Sequence, residues 1–280
     1  MKKIIILYHA NCSDGFGGAW AAWKKFGNQA EYIPVYHQVP PPEGLKNKKL
    51  YLIDFTYPPK PLKKIIKNNK RVTAIDHHVT REKEVKLTEN YSYAVKNSGS
   101  VLAWKYFHPD KPIPKILKFV EDMDLWRFKV AHTKEIFAYL NLFDFDFRLW
   151  NKLAAEIENP AKRKAAIEKG KIVLRYEDKL VNKLVENNAE LVEFESYKTY
   201  AVNAAFLDSQ IGNRISEKIL PPIGIIWKRT KGQISVSLRS DGTVDVAKLA
   251  EKYGGGGHKA ASGFKIPADH KLPWRYLNEK

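Results

Sequence analysis

The sequence predicts an α/β protein in two parts. A parallel-sheet N-terminal domain is joined by a long helix to a smaller α/β C-terminal domain. Three observations carry this reading. Apolar runs that end in polar residues (KKIIILYH, KLYLIDF and RVTAIDHH) recur with helical stretches between them, the pattern of buried parallel strands linked by right-handed crossovers. A long charged helical stretch, NPAKRKAAIEKGKIVLRYEDKLVNKLVENN, then breaks the alternation. Two adjacent strand-like segments, IGIIWKR and GQISVSLRS, lie beyond it. The expected divisions are residues 1–158, a connecting helix over 159–188, and residues 189–280.

Each element follows from local pattern. KKIIILYH is the first strand, and GFGGAWAAWKKFG puts alanines and tryptophans at helical spacing. EYIPVY reads as a strand. Pro59 or Pro61 can open a helix in PPKPLKKIIKNNK, with Ile65 and Ile66 turned toward the sheet. SGSVLAWKYF and PKILKFVEDMDLW read as helices. In the connecting helix Ile172, Tyr176, Leu180 and Leu184 share a face, too brief a pattern for a coiled coil. After it, SYKTYAVNAAF is a strand and SQIGNRISEKIL a helix stopped by Pro221 and Pro222. Ile234, Val236 and Leu238 alternate with Ser235, Ser237 and Arg239, as on a strand with one buried face. VDVAKLAEKYGGGGHKAASGF reads as a helix, a glycine loop, then a short helix or strand. The four glycines, Gly254 to Gly257, suit neither a helix nor a stable strand.

The 280 residues suffice for one large core or two modest ones. Lys and Arg number 48 against 31 Asp and Glu, a net charge of +17, with basic runs such as KNKK and KPLKKIIKNNKR. This fits a well-solvated surface or a polyanionic ligand such as nucleic acid. A single cysteine, Cys12, excludes a disulfide framework and suits a reducing compartment. The apolar run IIIL is too short for a signal peptide, and no run reaches the length of a membrane span. A soluble, cytoplasmic protein without a membrane partner is expected.

Open parallel sheets bind ligands at the carboxyl ends of their strands. Here those ends carry His9 to Asp14, Asp54, and Asp76-His77-His78. With Asp122 they form a set of oxygen and imidazole donors suited to Mn²⁺ or a similar dication. Two such ions about 4 Å apart activate a water and stabilise in-line displacement at phosphorus. Taken singly each residue has a plainer reading: Asp14-Gly15 a turn, Asp54 an Asx turn, Asp122 a helix-end group. Arg239 is a natural fork for phosphate. The glycine run before His258 can direct backbone N–H groups at an anion at a helix start.

HANCSDG, LIDFTYPP, AIDHH and FVEDMDLW resemble the four motifs of the DHH phosphoesterases. SVSLRSDGTVDVAKLAEKYGGGGHKAASGF resembles the associated C-terminal domain with its GGGH signature. The resemblance spans nearly the whole chain. The family includes RecJ-type exonucleases, oligoribonucleases, pAp phosphatases and dinucleotide phosphodiesterases. The resemblance implies that His9 and Asp14 bind metal, that Asp54 bridges two ions and that His77 is a ligand. Asp76 orients His77, and His78 faces the phosphate. Asp122 is the final ligand, with Asp124 as the alternative. Arg239, Gly255, Gly256, Gly257 and His258 grip the substrate, in a cleft between the domains. Two Mn²⁺ ions are expected, with Mg²⁺, Co²⁺ or Zn²⁺ within the same chemistry.

One position departs from the pattern. Where the family carries D-x-D in its first motif, Cys12 stands two residues before Asp14. It reads equally as a small buried residue at a tight turn or as a ligand that retunes one metal site. The function expected is a metal-dependent phosphodiesterase acting on short single-stranded RNA or DNA oligonucleotides or dinucleotides. Alternatives are a pAp-type nucleotide phosphatase, a cyclic-dinucleotide phosphodiesterase, and a nucleic-acid-binding module with a decayed metal site. The sequence shows none of the extra domains with which larger RecJ-type enzymes hold long DNA, which favours small substrates. A homodimer is left open.

Overall fold

A computed structural model describes residues 2–36, 39–218, 222–230 and 232–277. The chain divides into two compact units, Met1–Leu174 and Arg175–Lys280. The elements of the first are β1 (Ile4–His9), α1 (Ser13–Phe26), β2 (Ala30–Val35), β3 (Lys49–Ile53), α2 (Pro59–Asn68), β4 (Arg71–Asp76), α3 (Glu82–Val85), β5 (Asn90–Tyr93), α4 (Gly99–Phe107), α5 (Lys115–Asp124), α6 (Thr133–Leu140) and α7 (Phe147–Glu158). A long helix, α8 (Pro160–Asn188), follows.

The first sheet is parallel throughout, in the order β2-β1-β3-β4-β5. The chain leaves β1 toward one edge to form β2, then returns to lay β3 on the other side of β1. This reversal is a switch point, where crossovers depart to opposite faces and leave a crevice at the strand ends. Ile6, Ile53 and Ile75 face a core shared with α1, α4, α5 and α7, centred on Phe16, Trp20 and the buried Trp150. Ile5, Leu7, Leu50 and Leu52 face the opposite layer, with Leu62 and Ile65 of α2 and with Phe55 and Tyr57. Helices on both faces explain why these strands read as continuous apolar runs. Pro59 is the first residue of α2, where its missing N–H costs nothing.

The division between units falls inside α8, so the connecting helix is shared. Ala166 belongs to the first core and Val181 to the second. The expected apolar face of this helix is corrected by the structure. Ile172 and Tyr176 are exposed, 68% and 63%, whereas Leu184 is partly covered. Four residues at one spacing did not separate a buried face from a bare one.

The second unit continues with β6 (Ala189–Phe194), β7 (Tyr197–Asn203), α9 (Asp208–Lys218), β8 (Ile223–Thr230), β9 (Gln233–Ser240), α10 (Val246–Glu251), β10 (Gly256–His258), β11 (Ala261–Pro267) and β12 (Arg275–Tyr276). They form a mixed sheet in the order β10-β11-β9-β8-β7-β6-β12. Parallel β7 and β8 are linked through α9, and β8–β9 and β9–β11 are antiparallel. Ile234, Val236 and Leu238 are buried and their neighbours on β9 half-buried or exposed, as the alternation predicts. Ile225 packs toward α10 and Trp274, and Ile226 toward α9 and α8. The stop at Pro221 lies outside the described residues.

The glycine run differs from expectation. Gly256, Gly257 and His258 form β10, antiparallel to β11 with Gly257 opposite Ser262. Among the described residues no helix starts after it, so Gly255, Gly256 and Gly257 do not sit at a helix N-terminus. The glycines have a packing reason instead: a Cβ on Gly257, at φ 142°, lies 2.6 Å from the Ala261 carbonyl oxygen. Only glycine lets the two backbones meet so closely. Among the described residues no helix is long and apolar enough to cross a membrane.

Candidate metal centre

The carboxyl ends of β1, β3 and β4 and the last turn of α5 bring one group of side chains together. Asp54 follows β3 with φ at 62°, a strained value for a non-glycine residue. Its amide donates to the Ile75 carbonyl (2.9 Å), which ties this turn to β4. The carboxylate then faces two ways. Oδ2 lies 3.3 Å from His9 Nδ1, and Oδ1 lies 3.2 Å from His77 Nε2. Around these two oxygens sit two sets of donors. His9, Cys12 and Asp54 place one ligand atom each within 4.8 Å of one another, and so do Asp14, His77 and Asp124.

Asp14 is buried in the first turn of α1. Its oxygens accept the amides of Gly99 (2.6 Å) and Ser100 (3.0 Å), the first residues of α4, where unpaired helix amides favour an anion. Gly99 was not singled out in the sequence, yet nothing larger fits there. A Cβ would lie 2.7 Å from the Asp54 Cβ and 2.9 Å from an oxygen of Asp14. The signal was the Ser-Gly-Ser helix start, with Ser98 as the cap accepting from the Val101 amide.

Asp76 holds the paired histidines. Oδ1 accepts the amides of His77 (2.7 Å) and His78 (3.1 Å) and pairs with His78 Nδ1 (2.7 Å), while Oδ2 accepts from the Thr56 hydroxyl (2.9 Å). The ring it orients is therefore that of His78, and not that of His77 as the resemblance implied. It acts by positioning.

Asp122 faces the loop that follows α5. Its carboxylate accepts the amides of Lys129 (2.9 Å) and Val130 (3.1 Å) and the hydroxyl of Thr133 (2.6 Å). These bonds pin a loop in which Trp126, Phe128 and His132 all have positive φ. The residue facing the cluster is Asp124, whose Oδ2 is 3.6 Å from His77 Nε2 and whose side chain is a quarter exposed. The last turn of α5 divides the work between the two acids.

Electrostatics follow from crowding acids in a sheltered place. Burial pushes the Asp14 carboxyl well above its usual range, and the Asp54 and Asp124 charges add to this. Asp124 is raised by burial too, against the opposing pull of His77. Burial also lifts the Cys12 thiol, helped by Asp54, Asp124 and Asp14. Asp54 goes the other way. Burial opposes its charge, but bonds to His77 and His9 outweigh that and hold it well below the ordinary carboxylate range. Burial alone would lower His77, yet its bond to Asp54 and the charges of Asp124, Asp54 and Asp14 raise it to about 10. These acids thus favour a positive charge on His77. A dication would supply more, from ligands already at hand, so the donor set fits one.

The second unit carries the remaining expected residues. Arg239 is half-buried on β9. Nη1 donates to the carbonyls of Leu238 (2.9 Å) and Ser262 (3.5 Å), and Nη2 donates to the Ser209 hydroxyl (2.8 Å) at the start of α9. Burial lowers its pKa, against the pull of Asp208. His258 ends β10 opposite Ala261.

Residues 207–273 match the DHHA1 domain. The chain is 32% identical over 286 residues to the uncharacterized protein R106 of Acanthamoeba polyphaga mimivirus, a match covering 93% of this chain and 66% of that protein. It is 26% identical over 191 residues to the oligoribonuclease NrnB of Bacillus subtilis, covering 63% of this chain and 43% of that one. The chain thus carries a DHHA1 domain and is related in sequence to an oligoribonuclease. RecJ of Thermus thermophilus, solved with Mn²⁺, shares the fold at 15% identity and a TM-score of 0.52, over 95% of this chain and 49% of RecJ. The chain spans less than two thirds of the length of either curated relative.

Two outcomes test the geometry. Asp124→Ala is expected to weaken divalent-ion binding, as read by titration calorimetry. Asp122→Ala is expected instead to cost about 1–3 kcal/mol in urea unfolding, because buried amides and a hydroxyl lose their acceptor. The reverse pattern would return Asp122 to the metal set. The second outcome concerns pH. Below about 10 the metal-free His77 carries a proton that a ligand must shed. Ion affinity is therefore expected to rise with pH, by about tenfold per unit for each proton displaced, in the neutral range. A flat affinity across that range contradicts His77 as a ligand.

Proposed function

We propose that this chain is a two-metal phosphodiesterase that hydrolyses short single-stranded oligonucleotides or dinucleotides. The observation that carries this is Asp54, whose two carboxylate oxygens each face a different imidazole, Oδ2 that of His9 and Oδ1 that of His77. That is the arrangement a bridging carboxylate requires. His9 and Asp54 would hold one ion, and Asp14, His77 and Asp124 a second, with Asp54 serving both. Bound there, divalent ions supply Lewis acidity and lower the pKa of coordinated water. Mn²⁺ fits the oxygen and imidazole donors, and RecJ of Thermus thermophilus was solved with that ion.

The residues of this chain do the rest. Asp14 is steered by the amides that open α4, so it enters the site at a fixed angle. Asp76 holds the His78 ring by Nδ1 and keeps it positively charged more readily than a free histidine. Its Nε2 edge, turned away from Asp76, is suited to donate to a phosphate oxygen as charge builds there. Arg239, His258 and the net charge of +17 favour an anionic substrate. The oligoribonuclease activity of the relative NrnB and the Mn²⁺ of RecJ are consistent with this reading.

The test is a panel of metals (Mn²⁺, Mg²⁺, Co²⁺, Zn²⁺) against short RNA, short DNA, pAp and cyclic dinucleotides. Hydrolysis of the short oligonucleotides that chelator abolishes and Mn²⁺ restores is expected. Asp54→Ala is expected to remove that activity while far-UV circular dichroism stays unchanged. Full activity in purified, folded Asp54→Ala sinks the two-metal reading. Cleavage of pAp alone would make the protein a nucleotide phosphatase.

A further inference from the structure

We infer that Cys12 is a ligand through its sulfur, so that one of the two metal sites takes a borderline or soft dication such as Co²⁺, Zn²⁺ or Cd²⁺ in preference to Mn²⁺. The inference rests on the metal-dependent reading above and deepens it. It begins from placement. Cys12 has extended geometry, φ −134° and ψ 130°, immediately before α1. Its carbonyl accepts the Phe16 amide (2.9 Å), the first bond of the helix turn, which fixes where the side chain points. The sulfur then lies within 4.8 Å of a His9 nitrogen and an Asp54 oxygen, themselves as close to each other.

A cysteine that merely filled a hole would be lined by apolar side chains. Cys12 belongs to none of the apolar cores described for this unit, and it is only half-buried. What surrounds it is imidazole and carboxylate. The trio therefore offers sulfur, nitrogen and oxygen, whereas Asp14, His77 and Asp124 offer nitrogen and oxygen alone. Thiolate favours softer ions and carboxylate harder ones, so two sites that share Asp54 differ in the metal each selects. The exchange is balanced. The S–H bond breaks, an S–metal bond forms, and the proton passes to solvent, with no oxidant or reductant.

Cys12 is the sole cysteine in the 280 residues, so any sulfur-to-metal signal has one source. The full chain, stripped by chelator and handled under reducing, anaerobic conditions, is titrated with Co²⁺ while its near-ultraviolet absorption and bound cobalt are measured. A thiolate-to-Co²⁺ charge-transfer band that saturates at one equivalent, with a second equivalent bound without adding to it, is expected. Cys12→Ser and Cys12→Asp are expected to lose the band, and Cys12→Asp to keep two ions and shift preference toward Mn²⁺ in competition. Two bound equivalents without a band in the unaltered chain overturn the sulfur ligand and leave the two-metal reading standing. No cobalt uptake at all overturns both. The decisive signal comes from the unaltered protein, so a variant that failed to fold does not blunt the test.

Discussion

Everything at the rim of the first sheet depends on keeping carboxylates close together in a sheltered place. Asp14, Asp54 and Asp76 are essentially buried, and Asp124 closes the group from α5. Like charges at such separations repel strongly in a weakly polar setting, and burial penalises each of them separately. The site survives because the three buried acids are each held by hydrogen-bonding partners. Asp14 has the helix amides of α4, Asp54 has two imidazoles, and Asp76 has two amides, an imidazole and a hydroxyl. The mixed response of these groups, some raised and some lowered, marks a place where charge is missing. Divalent cations would supply it.

That constraint reaches into the fold. The N-terminus of α4 must approach β1 and β3 closely, which Gly99 permits, and it is braced from α5. Glu121 accepts the Ser98 amide (2.9 Å) and the Asn97 side-chain amide (3.0 Å), and Arg127 pairs with the same carboxylate group at 3.9 Å. Asp122, one residue on, pins the strained loop that follows Asp124. The contacts of Glu121 and Asp122 thus brace the turn that carries Asp124. Strain at Asp54 and in the loop is stored where geometry matters and is offset by packing elsewhere.

The parallel strands of the first unit were legible because sheets covered on both faces write themselves as apolar runs. The site residues of β1, β3 and β4 followed from that, since strand ends and motifs agreed. Other features left no such trace. NYSY of β5 is short and polar, as an edge strand is, and β6 is a brief ELVEF before a turn. Asp122 and Asp124 are both plausible on a helix, and only the capture of one by the backbone of residues 129–130 separates them. The glycine run was read as loop because glycine lacks strand propensity, yet β10 pairs precisely where no side chain is wanted on the side facing β11. The need for Gly99 is likewise a matter of three-dimensional contact.

The central claim is that Asp54 organises two ion sites, one on each oxygen. Anomalous X-ray scattering from crystals of the full chain grown with Mn²⁺, and separately with Cd²⁺, tests it most directly. Two peaks are expected on opposite sides of the Asp54 carboxylate, one against His9 and the other against Asp14, His77 and Asp124. A single ion, or ions that leave Asp54 out of their coordination, would contradict the account.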